Sequence, residues 1–273
     1  AKIVFVSRSG EINYENVYEN CSDFQVIINC TPVGMYPNNG ISPITLDKFQ
    51  FCQGVIDMIY NPAKTALLLE AERLGIKHIN GLHMLVAQAK KACELFLNEK
   101  IDDREVTKII DVIAANSSNI ILVGMPGCGK TTIGKTLAEI TCREMIDTDE
   151  MIVASTGRTP SEIIVSEGEA IFREIEGAEV EKAGKMSERI ISTGGGVVTK
   201  EKNYAPLHQN GKIVFIHRSI DKLATDDRPL SKNLHEMYET RLPMYRHFCD
   251  IEVSNDGEVT ECALEILKKL NLS

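Results

Sequence analysis

The sequence predicts an α/β protein built on parallel sheets, and three observations carry that reading. Runs rich in β-branched and apolar residues recur with helical stretches between them, the pattern of strand–helix–strand units. One of these runs leads directly into a glycine-rich turn and then a helix, the layout of a phosphate-binding loop. Of 273 residues, 43% are hydrophobic and 25% charged, the balance of a folded globular chain and not of a disordered or coiled-coil one.

The predicted strands are Ile3–Val6, Val26–Asn29, Gly54–Ile59, Ile120–Val123, Ile190–Ser192 and Lys212–Ile216. Helices are predicted from Thr65 to Leu74, from Gly81 onward and over Ile133–Ile140. Val106, Ile109, Ile110 and Ile113 recur at i, i+3, i+4, i+7 and define one face of a further helix. The polar run Ala115–Asn119 has no periodicity and marks a boundary. The expected organisation is a first domain over 1–115, a linker over 116–119 and a second domain over 120–273.

Several function classes are excluded. A net charge of −9, only 5% aromatic residues and no Trp argue against nucleic acid as a partner. No apolar run approaches the ~18 residues of a membrane span. The eight cysteines form no CxxC pair and have no histidines at metal-ligand spacing. They read as free thiols in a cytoplasmic protein, without structural zinc or disulfides.

The second half carries the strongest motif. Gly124-Met-Pro-Gly127-Cys128-Gly129-Lys130-Thr131 fits GxxxxGK[ST] between a strand and a helix. Glycines let the backbone amides of such a loop converge on an anion, and the helix N-terminus adds its dipole. Lys130 reaches the outer phosphates and the Thr131 hydroxyl can ligate Mg²⁺. Beyond it, Asp147-Thr148-Asp149 places two carboxylates at i, i+2 on a segment read as extended. One suits a metal and the other a substrate hydroxyl; the alternative is a helix N-cap at Asp149. Arg173 and Glu176 fall on one helix face, either as an exposed ion pair or as an arginine held ready to fork a carboxylate. Thr193-Gly194-Gly195-Gly196 runs off a strand, either as a flexible loop or as backbone that a ligand approaches closely. Asp227-Arg228-Pro229-Leu230 and Arg241-Leu242-Pro243-Met244-Tyr245 suggest a closing lid and a second anion clamp.

Together these motifs resemble shikimate kinase, a nucleoside-monophosphate-kinase-like P-loop family, over about residues 119–270. The resemblance implies transfer of the ATP γ-phosphoryl to the 3-hydroxyl of shikimate, with Mg²⁺. It gives ATP to Gly127, Cys128, Gly129, Lys130, Thr131, Thr132 and Arg228, and the metal to Thr131 and Asp147. Shikimate falls to Asp149, Arg173, Gly194, Gly195, Gly196 and Arg241, with Lys130, Asp149 and Arg228 catalytic. The kinase domain is expected to act as a monomer. In one departure, Thr225 and Asp226 stand near the place where many members carry an adenine-stacking arginine.

Residues 1–114 resemble the cofactor domain and last helices of shikimate dehydrogenase. The resemblance rests on Asn29-Cys30-Thr31-Pro32-Val33-Gly34-Met35, Asn61-Pro62-Ala63-Lys64-Thr65 and Gly81-Leu82-His83-Met84-Leu85. It implies a truncated Rossmann-type NADP domain. Ser7, Arg8, Ser9, Thr31 and Met84 would face NADP, and Gln88 shikimate. The glycine-rich pyrophosphate turn and the family's substrate domain do not precede Ala1, so hydride transfer is not expected. The competing reading is a non-catalytic NADP-binding or docking module tethered to another small-molecule P-loop kinase.

Overall fold

The computed structural model describes residues 1–223 and 234–272. They fall into two compact units, Ala1–Ala114 and Ala115–Ser273, and each holds a parallel sheet.

In the first unit a short helix α1 (Val17–Asn20) precedes strands β1 (Val26–Asn29) and β2 (Gly54–Asp57). Helix α2 (Ala66–Arg73), strand β3 (Lys77–Ile79) and helices α3 (Leu82–Leu97) and α4 (Asp103–Ser117) follow. The sheet order is β1-β2-β3. Its core is Leu46, Val55, Leu67, Leu68 and Ala71. The fully buried Asp57 locks this layer together. Its carboxylate accepts from Asn29 Nδ2 (3.0 Å), Ile59 N (3.1 Å) and Thr65 Oγ1 (2.6 Å). Thr65 in turn caps α2 by accepting from Leu68 N. A carboxylate taken out of water needs such a set of donors.

Two expectations are corrected here. Ile3–Val6 is not a strand. Its alternation is real, since Val4 and Val6 pack near Val17, Cys21 and Phe49 while Ile3 and Phe5 face solvent. A strand also needs a ladder partner for its backbone, and this segment pairs with none of the described strands. The polar run 116–119 is not an irregular linker: α4 continues to Ser117 and the next strand starts at Asn119. The helix expected around Val106–Ile113 is present as α4, with part of its apolar face covered. Val106 and Ile110 pack with Leu82 and Val86, whereas Ile109 and Ile113 are exposed.

In the second unit, strand β4 (Asn119–Val123) leads to helix α5 (Lys130–Thr141). Strand β5 (Glu144–Asp147) is followed by helices α6 (Thr148–Thr156), α7 (Pro160–Glu167) and α8 (Glu169–Gly184). Then come strand β6 (Arg189–Ser192), helix α9 (Tyr204–His208), strand β7 (Gly211–His217), helix α10 (Leu234–Phe248), strand β8 (Ile251–Ser254) and helix α11 (Val259–Lys269). The five strands are all parallel, in the order β5-β6-β4-β7-β8. The central β4 is buried along its whole length, which is why it reads as an unbroken apolar run.

From β4 the chain goes outward to β5, returns to β6 beside β4, and crosses to β7 on the other side. The turn after β4 therefore lies where the connections reverse direction. Crevices outside the carboxyl ends of strands at that point are the usual ligand sites of open α/β sheets.

Candidate active site

The turn after β4 is a phosphate-binding loop in shape. Gly124, Gly127 and Gly129 take φ of 153°, 81° and 96°, a region that side chains disfavour. A Cβ at Gly124 would lie 2.5 Å from the Ile216 carbonyl oxygen, so that position admits glycine alone. Lys130 opens α5 and folds back over the loop, with Nζ donating to Gly124 O (2.8 Å) and Met125 O (3.0 Å). Gly127, Gly129, Lys130, Thr131 and Thr132 line a cleft of about 550 Å³. Cys128 does not: its thiol is fully buried and its amide donates to Met125 O, so only its backbone borders the loop.

Asp147 ends β5, the strand two places from β4, and brings a carboxylate to the same edge. Thr131 Oγ1 lies 3.2 Å from Asp147 Oδ2. This hydroxyl–carboxylate pair, oxygen-rich and beside the loop, fits a hard divalent cation whose other ligands are phosphates and water. Asp149 is not on an extended segment. It sits in the first turn of α6 and its amide donates to Asp147 Oδ1 (3.0 Å), which makes Asp147 the N-cap. Both carboxylates nonetheless line the cleft.

At the other end of the cleft, Arg173 and Glu176 form a buried pair and not a surface one. Nη1 of Arg173 donates to both Glu176 oxygens (3.0 and 2.8 Å), while its Nε and Nη2 reach Glu169. Their side chains are 4% and 0% exposed, which separates this pair from solvated helix pairs worth little. Burial pushes the Glu176 carboxyl up, against the pull of the Arg173 guanidinium.

The Gly194–Gly196 loop is shaped by these groups. A Cβ at Gly194 would lie 2.7 Å from Glu176 Oε1 and 3.1 Å from Asp149 Oδ1; one at Gly195 would lie 2.7 Å from the Pro126 ring. At Gly196 it would lie 2.1 Å from Arg173 Nη2. The glycines thus make room for the protein's own charged groups as well as for any ligand. Gly196→Ala is expected to drive the guanidinium from its place and to cost about 1–3 kcal/mol, read as a lower midpoint of urea unfolding. Arg241 on α10 donates from Nη1 to Gly195 O (3.2 Å), an oxygen that also accepts from Tyr245 OH. Arg228 lies outside the described residues.

The site is therefore one chain of contacts. Thr131 touches Asp147, Asp147 holds Asp149, and Asp149 and Glu176 flank Gly194. Glu176 grips Arg173, which lies on Gly196.

Three supporting contacts were not read from sequence, although Tyr245 stands in the Arg241–Tyr245 motif. Thr148 Oγ1 accepts from Gly194 N (3.2 Å), Tyr245 braces Gly195, and Asn255 Nδ2 donates to Cys128 O (2.8 Å). Each is a polar residue whose partner is distant in the chain, and no local pattern reveals that.

In the first unit one of the sequence-predicted residues lines an apolar cleft. Thr31 lines an apolar cleft with Val4, Val6, Val26 and Ile28. Ser7, Arg8 and Ser9 occupy an exposed turn, and Met84 and Gln88 lie exposed on α3; none of the five lines that cleft.

The family model described as shikimate kinase matches residues 126–271. A curated shikimate kinase from Caldicellulosiruptor bescii is 39% identical over 166 residues, 57% of this chain and 96% of that one. The solved shikimate kinase from Acinetobacter baumannii, in complex with shikimate, superposes with a TM-score of 0.55 at 31% identity. It covers 59% of this chain and 97% of that one. A chorismate mutase/shikimate 5-dehydrogenase fusion protein from Clostridium acetobutylicum is 37% identical, covering 40% of this chain and 43% of that one with a TM-score of 0.37. The P-loop, its neighbouring carboxylates and the buried arginine all lie inside or at the edge of the matched span, and the chain belongs to the shikimate kinase family of phosphotransferases.

Proposed function

We propose that the second unit transfers the γ-phosphoryl group of ATP to the 3-hydroxyl of shikimate. The observation that carries this is a single cleft joining a P-loop to a buried arginine cluster, with a carboxylate linking the two.

Phosphoryl transfer asks for alignment and charge neutralisation more than for covalent help. The amides of Gly127 and of Gly129–Thr132 and the Lys130 ammonium face the phosphates, and Lys130 gives up two carbonyl partners to do so. Thr131 and Asp147 would hold Mg²⁺, which supplies charge neutralisation at the phosphates. Asp149 takes the proton of the accepting hydroxyl onto its carboxylate. Arg173 and Arg241 grip the shikimate carboxylate, and Glu176 keeps Arg173 at its post. Arg228 neutralises charge on the transferring group. A planar fork suits a small carboxylate better than it suits a nucleobase.

ADP release that depends on shikimate tests this reading. Asp149→Asn is expected to lower kcat by about 10²–10⁴-fold with the KM for shikimate changed less than about threefold. Folded protein that releases no ADP with shikimate, while turning over gluconate or a nucleoside monophosphate, overturns it.

We read the first unit as shikimate-dehydrogenase-like, with NADP as the cofactor such a unit takes. Ser7, Arg8, Ser9, Thr31 and Met84 are the residues we assign to NADP there and Gln88 to shikimate; of the six, Thr31 lines the apolar cleft of that unit. Among the described residues no helix is long and apolar enough to cross a membrane. We place the reaction in the cytoplasm, with the kinase unit active as a monomer.

A further inference from the structure

Beyond the P-loop, Arg218 is a further cation at the nucleotide end of the cleft among the described residues. Arg218 follows directly on β7, at the same carboxyl edge as the loop after β4. Its backbone is pinned on both sides. His217 O accepts from Asn255 N (2.8 Å), and Ser219 donates from N and Oγ to the two oxygens of Asp256 (2.9 and 2.6 Å). The side chain lines the cleft with Gly129 and Lys130. A Cβ built at Gly129, the residue that caps α5, would lie 4.0 Å from Nη1 of Arg218.

The other arginines of the cleft are engaged. Arg173 is held by Glu169 and Glu176, and Arg241 by Gly195 O. Arg218 differs. Its Nε is shut off from solvent and has no hydrogen-bond partner, and among the described residues it makes no ion pair. The carboxylate in the adjoining turn, Asp256, is taken up by Ser219. A shielded guanidinium donor without an acceptor is costly, and such groups persist where a ligand completes them.

We propose that Arg218 binds the phosphate chain of the nucleotide, donating from its planar fork to phosphate oxygens held at the N-terminus of α5. The inference rests on the kinase reading above. A phosphate is the acceptor of choice for such a fork, and the position beside Gly129 is where the helix dipole also favours an anion. The strand ends divide the labour. Just beyond β5 and β6, Asp149 and Gly194 serve the acceptor, while Asp147 at the end of β5 serves the metal. The ends of β4 and β7 serve the nucleotide, with Lys130 and Arg218.

The test uses the full chain with Arg218→Gln and Arg218→Lys. Arg218→Gln is expected to raise the KM for ATP and the inhibition constant of inorganic tripolyphosphate by about tenfold or more. The KM for shikimate and inhibition by adenosine should stay within about twofold. Arg218→Lys should regain most of the loss, since it keeps the charge. An unchanged KM for ATP overturns the proposal. So does a loss confined to adenosine, which would mean stacking on the base. A parallel rise in both KM values with a lowered unfolding temperature overturns it too, as the mark of a structural residue. The kinase reading is judged separately, by shikimate-dependent turnover of the parent protein in the same assay.

Discussion

Replacing Lys130 by Met is expected to lower kcat by about 10²–10³-fold, the usual consequence of removing one preorganised donor from a transferring oxyanion. Nζ rests on Gly124 O and Met125 O, at 2.8 and 3.0 Å. Those carbonyls mark the ammonium as a group held over the loop and able to exchange its partners for phosphate oxygens. Met keeps the buried stem and removes only the charge and its donors. The protein should therefore stay folded, which thermal unfolding checks alongside steady-state turnover. A kcat within about threefold of the parent would remove Lys130 from the transfer step.

The largest effect on stability is expected at Arg173. Arg173→Met leaves the Glu176 carboxylate buried without its partner, a change that costs about 3–5 kcal/mol. Glu176 is 0% exposed, so water cannot take the guanidinium's place. The double variant Arg173→Met/Glu176→Met should recover most of that stability in urea unfolding, because the desolvated charge goes with its partner. Neither variant is expected to bind shikimate well, since both lack the fork. If the double variant were as unstable as the single one, packing and not the uncompensated charge would account for the loss.

Legibility in the sequence followed the range of the forces involved. Ile120–Val123 and Lys212–Ile216 were predicted to within one residue at each end, because buried parallel strands are continuous apolar runs; Val26–Asn29, matched at both bounds, is an edge strand with Val26 and Ile28 exposed and was readable from its β-branched composition. Lys77–Ile79, Glu144–Asp147 and Ile251–Ser254 escaped notice. They are short, partly polar strands at the sheet edges, and their ladder partners stabilise them more than their own composition does. Ile3–Val6 failed in the opposite direction, having the composition of a strand and no ladder partner among the described strands. In the site, Lys130 and Thr131 were readable because spacing within a loop is local. The switch of the N-cap from Asp149 to Asp147, and the braces from Tyr245 and Asn255, depend on contacts between distant segments.

What the amino-acid order settled was the α/β class, the P-loop and the identity of the charged groups around it. Those follow from periodicity, from glycine's backbone freedom and from side-chain chemistry, all properties of neighbouring residues. Only the tertiary structure decided which charges are buried and which are spoken for. It turned Arg173 and Glu176 from a possible surface pair into a desolvated clamp, and it found Arg218 shielded beside Gly129 with a donor to spare. Burial and pairing are set by what the rest of the chain packs against a group, and that information is not local to any stretch of sequence.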